Sequence, residues 1–269
     1  MKSILLHVRD DDGLESRLQA AFDLARAFNG HITCLHAEPN GNYLAEDILV
    51  SAQWPEDYAE TLTATRSDLR LRIEARLEAE GVSWDWVQFD EPDAAALVRF
   101  SLLSDVIVVS LGTSIDFPRD PLPLAAAVSV GARSLVLAVP LAMTRLRLDR
   151  PALVAWNGSA ESAAALRAAL PILSLVPRVR LLEVVDRRSP YPRDLAARYL
   201  ARWGIAVEVD QREPTHLSVG AEIAQAAQEI EAGLIVMGAY GRSRLREYLL
   251  GGVTRELTGR SDRPLLLAH

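Results

Sequence analysis

A short apolar run, Val106-Ile-Val-Val109, returns 128 residues later as Leu234-Ile-Val-Met237. Four apolar residues between turn signals read as a strand buried on both faces of a parallel sheet. Their return at a fixed offset marks an internal repeat, which restricts the chain to two copies of one supersecondary plan. Along the first copy, strands are expected at 3–8, 31–37, 82–89, 106–110 and 134–139, with helices at 14–28, 56–81 and 93–103. After Pro140 an arginine-rich link, Met143 to Arg150, leads to Pro151, and the pattern restarts. Strands follow at 152–156, 179–185, 206–210, 233–237 and 264–268, with helices at 160–170, 193–203, 218–232 and from 252. Gly30 and Gly233 are read as helix stops. Such alternation implies α/β architecture: two doubly wound parallel sheets in tandem, one over 1–141 and one over 151–269, with helices on both faces.

Both repeats carry a loop after the fourth strand, and the loops differ. In the second, Gly238, Gly241, Gly251 and Gly252 bracket Arg242, Arg244 and Arg246 against the single acid Glu247. Glycine lets a ligand approach backbone amides. The arginines make this loop a local positive site in a chain of net charge -7. A helix opening at Gly252 would add amide donors without intrahelical partners, which suits an anion. The alternative is a solvated connection whose arginines keep it in water. In the first repeat, Ser110, Thr113 and Pro123 stand where the three spaced glycines would be, and Gly112 is one position out of register. Pro123 removes a donor there, so no anion site is expected in the first half.

The spacing Gly238, two residues, Gly241, nine residues, Gly251, between a strand and a helix, resembles the universal stress protein family. The resemblance spans the chain as a tandem and is strongest over 152–269. It implies a Rossmann-like fold of the adenine nucleotide alpha hydrolase-like type and ATP or a related adenine nucleotide as ligand. The ligand would lie on Asn157, Gly238, Gly241, Arg242, Ser243, Gly251, Gly252, Val253 and Thr254. Two positions depart from the family pattern. Gly252 stands where a Ser or Thr hydroxyl would donate to phosphate, leaving Thr254 as the next hydroxyl. Asn157 stands where an Asp is common, so magnesium would be held through the phosphates. Asn157-Gly158-Ser159 reads equally well as a turn with Ser159 as helix N-cap. By the same resemblance the two halves pack as an intrachain pseudo-dimer through their last strands, a homodimer remains open, and the role is a cytoplasmic response to stress.

No nucleophile and base stand at a credible spacing, so an enzymatic reading reduces to slow ATP hydrolysis with Arg242 or Arg244 at the γ-phosphate. The reading from another class is a nucleotide-free interaction or scaffold protein. His31, Cys34 and His36 could suggest a metal cluster, but alternation on a strand puts His31 on the other face from Cys34 and His36, which favours a structural role. Trp84 and Trp86 share a strand face and read as packing or interface rather than base stacking. The apolar residues from Ile4 to Val8 are too few for a signal-peptide core, and no apolar run reaches the about 18 residues that span a bilayer. One cysteine excludes an internal disulfide, and net acidity argues against nucleic acid or anionic lipid as partner.

Overall fold

A computed structural model describes residues 1–38, 56–112, 123–185, 191–213, 215–239 and 252–269, with the backbone alone for 56–66. The first half runs β1 (Ser3–Val8), α1 (Leu14–Phe28), β2 (His31–Ala37), α2 (Glu56–Glu80), β3 (Ser83–Phe89), α3 (Asp93–Phe100), β4 (Val106–Ser110), α4 (Leu124–Gly131) and β5 (Leu135–Val139). The second runs β6 (Ala152–Ala155), α5 (Ala160–Ala168), α6 (Leu170–Leu173), β7 (Val179–Val184), α7 (Arg193–Arg202), β8 (Val207–Arg212), α8 (Val219–Glu229), β9 (Leu234–Gly238), α9 (Gly252–Arg260) and β10 (Leu265–Ala268). Among the described residues, the ten strands join one sheet in the order β3-β2-β1-β4-β5-β10-β9-β6-β7-β8. Each half is parallel within itself, in the order third, second, first, fourth, fifth. The halves meet where β10 runs antiparallel to β5, with Leu266 opposite Leu137.

The central strands are apolar at nearly every position because helices cover both faces. Val106 to Val109 and Leu135 to Val139 are buried throughout. On one face α1, α2, α5, α6 and α7 close a core that includes Phe22, Ile73, Leu77, Leu170 and Leu200. On the other, α3, α4, α8 and α9 cover Leu5, Ile107, Val136, Ile235 and Leu267. Along α2 the buried stripe is Leu69, Ile73 and Leu77. Trp84 and Trp86 pack against the first core, and the Arg70 guanidinium lies 5.6 Å from the Trp86 ring centre.

Several local expectations change. The helix Leu124–Gly131 has no counterpart in the sequence reading, because its eight residues, Leu-Ala-Ala-Ala-Val-Ser-Val-Gly, carry no polar stripe to reveal a period. At the end of α1 the left-handed residue is Asn29, with φ 48°, rather than Gly30. After α8 it is Glu231, with φ 50°, rather than Gly233. Pro171 stands in the first turn of α6, just past the break after α5, a place where its missing N–H costs nothing. Beyond β5 the link is strapped to α1, since Leu146 N donates to Asp23 Oδ2 at 2.8 Å and Ser16 Oγ donates to Leu141 O.

The triad on β2 resolves into separate roles. His31 Nδ1 lies 2.7 Å from Ser83 Oγ, and His36 Nδ1 lies 3.1 Å from Val8 O. Burial pushes the Cys34 thiol up to about 12, which keeps it protonated and unreactive at neutral pH.

A polar cluster not foreseen from the sequence lies between β1 and α3. His7 Nε2 and Arg9 Nη1 each stand 3.1 Å from the Asp93 carboxylate, with His7 at 3% and Asp93 at 8% exposure. Burial lowers the His7 pKa below its ordinary 6.5 despite the neighbouring carboxylate. Folded His7 therefore resists protonation more than the unfolded chain does. Its share of stability is present above pH 6.5 and is lost as pH falls through the depressed value. Burial alone would raise Asp93, but His7 and Arg9 outweigh it and hold it below 3.8, so its share goes only in stronger acid. The urea midpoint is expected to fall between pH 7 and pH 5, and His7→Gln to flatten that fall. An equal slope in both proteins would show that His7 is not the group titrating.

Candidate functional site

Ligands in open α/β sheets bind beyond the carboxyl ends of the strands where strand order reverses. In the second half that point lies between β6 and β9, which pair in parallel with Ala155 opposite Met237. The residues following them, Asn157 and Gly238–Ala239, therefore share one edge. Because β9 and β10 are parallel, the intervening α9 must run back along the sheet, which puts its first residue, Gly252, at that same edge.

The turn after β6 is built as a cap. Asn157 Oδ1 accepts from Ser159 N at 3.1 Å, Gly158 takes φ 70°, and Ser159 Oγ accepts from Ser162 N at 3.1 Å. Both readings of Asn157 stay compatible with this, since the carbonyl is used in the turn while the exposed side chain keeps its amide donor. Trp156, buried behind the turn, donates Nε1 to Tyr191 O at 3.2 Å and meets the Tyr191 ring edge-on at 6.2 Å.

Gly238 has a packing reason of its own. A Cβ there would sit 2.5 Å from Ser162 N and 2.6 Å from the carbonyl carbon of Glu161, so α5 can approach β9 only against a glycine. The backbone just beyond is fixed from the other side, where Ala239 N donates to Ala268 O at 2.8 Å. The first turn of α5 is already capped by Ser159 and carries Glu161, whose buried Oε2 accepts no hydrogen bond among the described residues. That carboxylate makes the α5 terminus a poor seat for another anion.

The α9 terminus differs. Gly252 is exposed, a Cβ built on it has no atom of the described residues within 4 Å, and the first turn holds no acid. Among the described residues no carboxylate of the first turn competes for its leading amides, and the helix dipole favours negative charge there. Val253 is half-buried against the second core. Thr254 is 3% exposed, and its backbone carbonyl accepts from Thr258 Oγ1 at 2.8 Å. Gly241, Arg242, Ser243 and Gly251, with Arg244 and Arg246, lie outside the described residues.

The corresponding edge of the first half repeats the turn and changes the contents. Gly13 N donates to Asp11 Oδ1 at 2.9 Å, the same turn that Asn157 makes, and α1 starts at Leu14 as α5 starts at Ala160. Ser110 occupies the place of Gly238 at the end of β4. Sequence reasoning did not single out Arg17, which is wholly buried there. Among the described residues no group of His, Cys, Asp and Glu is arranged to hold a metal ion, and no helix is long and apolar enough to cross a membrane.

Comparison with known proteins agrees with this architecture. A universal stress protein from Archaeoglobus fulgidus superposes with a TM-score of 0.75 at 17% identity, covering 98% of this chain and 97% of that one. A candidate universal stress protein from Pseudomonas aeruginosa gives 0.61 at 16% identity, with 100% and 93% covered. At these identities the likeness shows a shared fold. No curated protein sequence matches the chain. The model of the universal stress protein family matches residues 150–269, the half that holds the glycine-spaced loop. Residues 150–269 are therefore a domain of the universal stress protein family.

Proposed function

We propose that the second half binds ATP or a related adenine nucleotide, with the phosphates at the start of α9, and that the chain serves as a cytoplasmic stress-response protein with little or no turnover. One observation carries this reading: the exposed Gly252 and the acid-free first turn of α9, at the switch-point edge and directly after a loop of glycines and arginines. Asn157 would add an amide donor, and any magnesium would be held through the phosphates. In the same reading 1–141 and 151–269 are two domains that pair as an intrachain pseudo-dimer across β5 and β10. A nucleotide-free interaction protein is the second reading, favoured by the missing hydroxyl at Gly252 and the burial of Thr254.

Titration calorimetry with ATP and with AMP separates the two. The nucleotide reading expects saturable heat below millimolar ligand. Silence at millimolar concentration would put the affinity weaker than about -4 kcal/mol and leave the interaction reading in place.

A further inference from the structure

Arg17 lies on α1 with 0% exposure, and all three nitrogens of its guanidinium donate hydrogen bonds. Nε donates to His7 O at 2.9 Å and Nη2 to Arg9 O at 2.9 Å, both carbonyls at the end of β1. Nη1 reaches Ser110 Oγ at 2.5 Å, at the end of β4, and the Asp11 carboxylate at 2.9 Å. The group thus sits between the ends of β1 and β4, which is where strand order reverses in the first half. In an open α/β sheet that crevice is the ligand position.

The second half carries none of this set. The matched turns and helix starts put Asn157 at the place of Asp11, Ala163 at that of Arg17 and Gly238 at that of Ser110. A fully buried cation is costly unless its donors are satisfied, and here four acceptors from three segments are gathered to satisfy it. A side chain needed only for solubility would not be placed so.

We propose that Arg17 is a built-in ligand of the first half: its guanidinium fills the switch-point crevice and so confines nucleotide to the second half. The contrast between halves rests on the nucleotide reading; the occupancy of the crevice does not. Removing the side chain leaves a cavity lined by one carboxylate, two carbonyls and a hydroxyl, which is a seat for a small planar cation.

The test is Arg17→Ala melted with and without 10 mM methylguanidinium, with methylammonium as control. The variant is expected to melt roughly 10 °C below wild type. Methylguanidinium is expected to restore several degrees saturably in the variant, while methylammonium does nothing and wild type responds to neither. A variant as stable as wild type, or equal responses to both cations, would overturn the proposal. If Arg17→Ala does not fold, refolding is attempted with each cation: recovery with methylguanidinium alone supports the proposal, and recovery with neither contradicts it. The reciprocal variant Asn157→Asp/Ala163→Arg installs the plug in the second half and should weaken ATP binding at least tenfold beyond Asn157→Asp alone. Failure of wild type to bind ATP would sink the nucleotide reading and leave the cation arm to judge Arg17.

Discussion

Gly238→Ala is expected to destabilise the second half by about 1–3 kcal/mol, and Gly238→Val by the upper end of that range or more. The cost arises because the new Cβ would lie 2.5 Å from a backbone nitrogen and 2.6 Å from a backbone carbon, neither of which can rotate away as a side chain would. Either α5 moves off β9, opening the core around Ala165 and Leu166, or β9 shifts against β6 and β10. Both movements displace the edge on which Asn157 and Gly252 lie, so nucleotide binding should weaken in step with stability. Chemical unfolding monitored by tryptophan fluorescence, with calorimetry on the same samples, checks the pair. A variant with wild-type stability and lost binding would instead make Gly238 a ligand contact.

Gly252→Ser is expected to act in the opposite direction, tightening ATP binding about tenfold. A serine hydroxyl at the first position of α9 would give an anionic phosphate a further donor, worth about 1.5 kcal/mol for a bond to a charged group. Among the described residues a Cβ there meets nothing within 4 Å, so little steric cost is expected. Replacing glycine inside a helix also removes some unfolded-chain freedom, so the melting temperature should hold or rise slightly. Calorimetry of wild type and variant at one salt concentration gives the ratio. An unchanged affinity would mean that the phosphates do not sit at this terminus.

The contrast between these glycines shows where sequence reasoning reaches and where it stops. Both stand in the same motif and both read as points of backbone approach to a ligand. Only the fold reveals that Gly238 answers to Glu161 and Ser162, some 76 residues earlier, whereas Gly252 meets none of the described residues. The repeat, the parallel halves and the edge on which the loop lies were legible because short apolar runs and turn residues encode them locally. The turn at Asn157 was legible for the same reason. Arg17 was not, because an arginine on an amphipathic helix reads as a solvated face, and its burial depends on Ser110, 93 residues away. His7 and Asp93 were hidden likewise, one inside an apolar strand pattern and the other as an ordinary first-turn acid of α3. Helix α4 escaped because an octamer with a single polar side chain, Ser129, has no polar stripe to show a period. The link between the halves, β5 against β10, followed from the family resemblance rather than from any residue pattern.

The central claim is that one adenine nucleotide binds per chain, in the second half. Native mass spectrometry with ATP measures this directly, using Gly241→Val and Thr113→Val to report on the two loops separately. The account predicts a single bound nucleotide on wild type and on Thr113→Val, and none on Gly241→Val. Two nucleotides on wild type, or binding that survives Gly241→Val and disappears in Thr113→Val, would contradict it.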